Sequence, residues 1–258
     1  MSLDWANISH GGLPPTGPVA FDADLSAANV RVAASHGLYC FPASSDEEVL
    51  VNEIRYASDV EAGGIVNNSS SHEPYSVAWL CPDPRPVVDL TARRTGRTMR
   101  KFARRRAEWH TTVNVAFDEV VAACSTARGT TWITAELRGA LHELHQDGVA
   151  HSCEVWDDDR LIGGVFGLQL GAVFTADSQF TRVEGAGKIA VVDLMTRFYQ
   201  GGGALFDVQH DTEHARVLGA ALMPRASYLD ALARLRTRMV RIPYEDRSAV
   251  HIAELVTT

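Results

Sequence analysis

The sequence predicts an α/β protein organised around residues 152–209, and three observations support that class. First, polar and apolar residues alternate around Glu154 and Trp156, Asp157-Asp158-Asp159 makes a turn, and the run from Leu161 to Phe174 is rich in strand formers. Second, Gly185 and Gly187 precede Ile189, Val192, Met195 and Phe198, whose threefold spacing marks one apolar face of a helix of about three turns. Third, Gly201-Gly202-Gly203 stops that helix, and a further strand ends in Asp207-Val208-Gln209. Strand, glycine-rich turn, helix and strand make a βαβ-like unit, and ligands commonly sit at the C-terminal ends of such strands.

The remaining elements follow from local signals. Residues 1–18, rich in Gly, Pro and small polar side chains, are expected to be loosely held. Asp24-Leu25-Ser26 caps a helix through Ala34, with Gly37 as its stop. Asp46 to Ala62 has the charge and spacing of a surface helix, ended by Gly63-Gly64. Asn67 to Pro74 (NNSSSHEP) reads as a loop. Pro82, Pro84 and Pro86 punctuate a rigid extended segment, so a boundary is expected there, with a small domain over residues 1–84 and an α/β domain over 85–258. Val113 to Val115 predicts a short strand. Phe117 to Cys124 predicts a helix with Phe117, Val120, Val121 and Cys124 inward. Thr131 is placed to cap a helix from Ile133 to Gln146, whose stripe is Leu137, Ala140, Leu141 and Leu144. His214 to Leu218 and Ser227 to Leu235 read as helices, and Val240 onward as a tail.

Hydrophobic residues at 46% and charged residues at 22% are ordinary globular values, which excludes a disordered chain. A formal charge of -8 argues against a generally basic nucleic-acid binder. The charge is uneven, however: from Arg93 to Arg106 the run RRTGRTMRKFARRR is basic throughout and contains no acidic residue. Such a run either neutralises phosphates, with counterion release and salt dependence, or forms a solvated helix face. Cys40, Cys81, Cys124 and Cys153 are widely spaced without a CxxC pair, so buried thiols are expected rather than a zinc site or disulfide framework. No leader pattern opens the chain and no apolar run approaches the roughly 20 residues that span a bilayer, so a cytoplasmic protein without membrane partners is expected.

Asp207 and Gln209, two apart on a predicted strand, would share one face, where a carboxylate and an amide can orient an amine and relay its proton. Alone, this pattern is a weak signal and favours a structural hydrogen-bonded pair. The segments SCEVW, IGGVFG, FTADSQF, ALFDVQ and LGA, with WLCPDPR, GRTMRK, FDEVVAAC and TWI upstream, resemble in order the leucyl/phenylalanyl-tRNA-protein transferase family. That family usually shows SVEVW, VGGLYG, FFGESMF and LIDCQ. Before Trp79 only VAFDADLS and HGLYCFP carry the likeness.

The resemblance implies a GNAT-like C-terminal domain, with a central, mostly antiparallel sheet flanked by helices. It implies transfer of an amino acid from charged tRNA to an acceptor amine, with no cofactor and no metal, because the tRNA ester is already activated. Its catalytic positions fall on Asp207, Gln209 and Asp177, the last a glutamate in the family. The aminoacyl pocket would comprise Val165, Phe174, Gln179, Val191 and Phe198. Trp132 would stack on the terminal adenine, and Arg97, Arg100 and Lys101 would hold the acceptor stem. Gln179 replaces a family methionine, and an amide there needs a partner: the donor side chain is then polar or small, or Gln179 turns to backbone. The acceptor is open between a protein N-terminus and a small-molecule amine or hydroxylamine. Arg182-Val-Glu-Gly185-Ala-Gly187 is also similar to the pyrophosphate turn of GNAT acyltransferases, which makes acyl-CoA-dependent N-acyl transfer the alternative.

Overall fold

A computed structural model describes residues 3–9, 12–68, 73–92, 97–126 and 132–249, the side chains of Ser9 and residues 97–100 apart. The chain begins with α1 (Trp5–Ser9), β1 (Pro18–Phe21), α2 (Ala27–Ser35), β2 (Tyr39–Pro42), α3 (Asp46–Glu61), β3 (Val66–Asn67) and β4 (Val77–Leu80). It continues with β5 (Arg85–Asp89), α4 (Arg97–Arg104), β6 (Trp109–Val113), α5 (Phe117–Thr126), α6 (Ala135–Gln146), β7 (Ala150–Asp157), β8 (Arg160–Leu170) and β9 (Val173–Thr181). The last elements are α7 (Ala186–Gln200), β10 (Leu205–Asp207), α8 (Glu213–Val217), β11 (Ala221–Met223), α9 (Arg225–Leu235) and β12 (Arg247–Ser248).

Among the described residues, β2-β4-β1-β3 form a four-stranded sheet and β11-β5-β10-β9-β8-β7-β6-β12 an eight-stranded one. In the larger sheet every neighbouring pair is antiparallel except β9 with β10. This is the mostly antiparallel α/β architecture expected of a GNAT-like fold. One face carries α5 and α6, whose inward stripes (Phe117, Val120, Val121, Cys124; Leu137, Ala140, Leu141, Leu144) are buried as their spacing predicts. Val19 and Trp79 of the smaller sheet join that same apolar core, so it is continuous across the proline-rich segment. The other face is covered by α7, packed on Val155, Val165 and Phe174. Most of the circumference of α7 is buried, Ala190, Val191 and Asp193 included, rather than the single face read from its spacing.

Other expectations need correction. The cap of α6 is Thr134, whose hydroxyl accepts the Leu137 N–H at 3.3 Å; Thr131 lies outside the described residues. The strand expected at Val113 to Val115 ends at Val113 and starts at Trp109, because Asn114 turns with a φ of 63°. The segment after Val240 is not a loose tail: Val240 and Ile242 join the α7-side core, and β12 closes the sheet edge by pairing Arg247 with Thr111. Its anchor is a buried charge cluster invisible to hydropathy. Asp193 accepts Arg197 Nε at 2.6 Å and the Thr111 hydroxyl at 2.7 Å, with Arg247 Nη1 at 3.4 Å. Asn67 to Pro74 cannot be followed as a unit, since 69–72 lie outside the described residues. All four cysteines are buried thiols, and no described helix is long and apolar enough to cross a membrane.

Candidate active site

The parallel ladder of β9 and β10 runs from Val173–Leu205 to Thr175–Asp207, and the two strands then part. On β9, Gly167 pairs with Ala176 and Phe166 with Ser178, which leaves Asp177 as the extra residue of a bulge. A glycine is needed opposite, because a Cβ on Gly167 would lie 1.8 Å from the Thr175 carbonyl oxygen. The bulge aims Asp177 at the parted strand end, where its Oδ1 accepts Gln209 Nε2 at 2.7 Å and the Thr175 hydroxyl at 3.1 Å.

Gln209 does not continue the strand, so the expected alternation with Asp207 fails. The chain turns at Gln209 with a φ of 59°, and its backbone N–H donates to Asp207 Oδ1 at 2.8 Å. Asp207 is fully buried. It accepts Arg85 Nε at 3.0 and 2.9 Å on its two oxygens, Arg85 Nη2 at 2.7 Å and the Tyr228 hydroxyl at 2.8 Å. The guanidinium of Arg85 lies between the rings of Tyr39 and Tyr228, 4.8 and 4.9 Å from their centroids. Burial opposes the Arg85 charge, but Asp207 outweighs it and raises the arginine pKa further. Asp207 is thus saturated and sits behind the site. The roles of Arg85 and Tyr228 were missed from sequence; for Arg85 the only available signal was its place at the end of WLCPDPR.

A cavity of about 550 Å³ opens at this point, lined by Phe41, Trp132, Val165, Asp177, Gln179, Val191, Gln209 and His214 among others. A second cavity of about 30 Å³ lies beneath it, between Arg85, Thr175, Asp177, Gln209 and Tyr228. Phe41 and Trp132 stack with centroids 5.5 Å apart and planes 16° from parallel, an exposed aromatic surface beside the amide. Asp177 faces the cavity yet is surrounded by protein. Desolvation, reinforced by the charge of Asp207, pushes its carboxyl up to about 7 despite the bonds from Thr175 and Gln209.

The structure therefore brings together Asp177, Gln209, Trp132, Val165, Gln179 and Val191. It leaves Phe174 and Phe198 out: both are fully buried in the α7-side core, where Phe174 stacks on Phe206 at 5.3 Å and meets Phe198 edge-on at 5.7 Å. Alternation along β9 points Phe174 into the α7-side core. Gln179 does not turn to backbone. Its amide lies 3.0 Å from Nε2 of His214, a cavity residue that the sequence reading did not single out. Lys101 is exposed on α4; the side chains of Arg97 and Arg100 are not among those described. Gly185 caps α7 with a φ of 85°, and a Cβ on it would meet the Phe102 ring at 2.2 Å. The glycine turn thus seats α4 against α7, a packing role that accounts for Gly185 without a nucleotide.

Fold and site define a GNAT-like α/β protein with an amide–carboxylate pair at the parted end of two parallel strands. The family model described as leucyl/phenylalanyl-tRNA protein transferase matches residues 87–233, and the chain belongs to that family. It is 44% identical over 156 residues to the leucyl/phenylalanyl-tRNA--protein transferase of Proteus mirabilis, covering 60% of this chain and 67% of that protein. The protein of the same name from Pectobacterium carotovorum is 33% identical over 233 residues, covering 90% and 87%. That from Klebsiella pneumoniae is 34% identical over 223 residues, covering 86% and 82%. The match thus extends well before Trp79, where only short motifs were legible. Among solved structures, the C-terminal domain of a putative lysylphosphatidylglycerol synthetase from Agrobacterium fabrum aligns with a TM-score of 0.38 at 11% identity, covering 90% of this chain and 84% of that one.

Proposed function

We infer that this chain is an aminoacyl-tRNA-dependent aminoacyltransferase that forms an amide between the tRNA-borne amino acid and an acceptor amine. The relatives are named tRNA--protein transferases, which favours a protein amino group over a small-molecule amine. The observation that carries the reading is the Gln209–Asp177 pair, 2.7 Å apart, in a cavity with an aromatic surface on one side.

In this mechanism Trp132 and Phe41 hold the terminal adenine by stacking, and Arg97, Arg100 and Lys101 attract acceptor-stem phosphates. The ester carbonyl lies against Gln209. One of its two amide N–H groups donates to Asp177, and its carbonyl oxygen is placed to accept an N–H of the incoming amine. The amine nitrogen attacks the ester carbon, a C–N bond forms, and the C–O bond to the terminal ribose breaks. Asp177, with a pKa of about 7, takes the amine proton and can return it to the departing ribose oxygen. Asp207 positions rather than reacts: through Arg85 and the Gln209 backbone it sets the turn that aims the amide. Positioning alone supplies several of the roughly 7–11 kcal/mol available from holding two reactants together. Residues 1–84 and 85–258 are read as two domains meeting at this cleft, the first contributing Tyr39 and Phe41.

The test is transfer from total tRNA charged with labelled amino acids to peptides with varied N-termini and to simple amines. Label appearing in an amide only when an acceptor is present is the expected result. Release to water alone, or transfer only from an acyl-CoA, would overturn the reading.

A further inference from the structure

We propose that Gln179 and His214 select the aminoacyl group, and that this site takes a polar, uncharged side chain in preference to an aliphatic one. The inference rests on the aminoacyl-transfer reading and names its donor class.

Gln179 lies on β9 across from Val165, and His214 lies in the first turn of α8. Both line the cavity together with Val165, Val191 and Leu218, so an amide and an imidazole stand beside aliphatic side chains there. Gln179 Nε2 lies 3.0 Å from His214 Nε2, and Oε1 of the same amide 3.3 Å from it. Desolvation and the charge of Lys188 lower the His214 pKa, so the ring is neutral near pH 7, and the pair closes either by the amide N–H onto Nε2 or by Nε2–H onto Oε1, according to the tautomer. A carboxamide has two N–H donors and an oxygen with two lone pairs. The bond to His214 uses one of these positions. In either tautomer one N–H and one oxygen lone pair of Gln179 have no protein partner among the described residues.

The stacked Phe41 and Trp132 offer the flat surface that suits a base, and Gln209 stands where the ester is presented. The side chain of the carried amino acid then extends toward the wall formed by Val165, Val191, Gln179 and His214. A leucyl or phenylalanyl group there would take water from the spare positions of the amide without replacing it. A hydroxyl or carboxamide would replace it. A site that hydrogen-bonds its substrate discriminates against the analogue lacking the group, here by about tenfold to a hundredfold.

The test uses 3′-aminoacylamino-3′-deoxyadenosines, stable amide analogues of the tRNA terminus, carrying seryl, threonyl, asparaginyl, glutaminyl, leucyl or phenylalanyl groups. Their affinities for the full chain are measured by titration calorimetry. The tightest polar analogue is expected to bind about tenfold or more better than the leucyl one. Gln179→Met is expected to reverse that order, and His214→Ala to narrow it. Equal or tighter binding of the leucyl or phenylalanyl analogue by the unaltered protein overturns the inference and leaves aminoacyl transfer standing. Failure of every analogue to bind, with no transfer from any charged tRNA, overturns both. The order shown by the unaltered protein decides the question even where a variant does not fold.

Discussion

Two buried arginine–aspartate clusters, one behind the cleft and one beneath the C-terminal segment, use the same chemistry to hold different pieces of backbone. In the first, Arg85 and Asp207 are 1% and 0% exposed, and the carboxylate continues to the backbone N–H of Gln209. In the second, Asp193 and Arg197 are both 0% exposed, and the guanidinium continues to the carbonyls of Pro243 at 2.9 Å and Glu245 at 2.6 Å. Each cluster fixes where an irregular segment must run. What differs is the cargo, a cavity-facing amide in one case and a closing edge strand in the other. A buried ion pair therefore says nothing about function until the segment it constrains is named.

The largest effect is expected from Asp207→Ala. It strands the Arg85 charge in the interior, which costs about 3–5 kcal/mol of stability, and it frees the Gln209 turn. Urea unfolding would show the loss, and transfer by the fraction still folded would also fall. Asp193→Ala should destabilise by a similar or smaller amount, since Arg197 keeps its backbone acceptors, while kcat/KM of the folded protein stays within a few-fold. If both variants lost transfer equally after correction for folding, the distinction between the clusters would collapse.

Asp177→Asn tests the proposed general base. Loss of a general base costs about a hundredfold or more in rate. In the native protein kcat/KM should rise with pH through about 7 as Asp177 gives up its proton, and the variant should lose that limb. The effect on stability has the opposite sign. The folded-state pKa lies above the ordinary carboxyl value of 3.8, so the native state retains a proton that the unfolded chain releases. The native protein should thus lose stability relative to Asp177→Asn as pH rises from about 4 to about 7, measurable as a difference in Tm across that window. The smallest effect is expected from Tyr228→Phe. It removes one hydrogen bond to Asp207 and leaves Arg85 in place, for about 1–2 kcal/mol of stability and a modest loss of kcat.

Much of the fold could be read from local pattern. The stripes of α5 and α6, the Ser26 cap of α2 and strands β7 and β8 follow from short-range periodicity and capping chemistry. Asp177, Gln209 and Trp132, which line one cavity, were picked out in the sequence through family motifs. Phe174 on β9 and Phe198 on α7 were expected in the pocket but are buried in the core, because sequence likeness does not report which way a strand or helix face points. The bulge that reorients Asp177 is set by the pairing of β8 with β9, and the ordering of the C-terminal segment by Asp193, 54 residues before Arg247.

By itself the sequence determined the element types, the apolar faces, the family and the residues from which a site could be assembled, since all of these depend on near neighbours or on recurring motifs. Only the tertiary structure decided that Asp207 is enclosed by Arg85 and Tyr228 while Asp177 faces the cavity. The two differ in burial, in charge partners and in the strand ends they meet. Those properties come from Arg85 and Tyr228, distant in sequence, which close around one aspartate and leave the other facing the cavity.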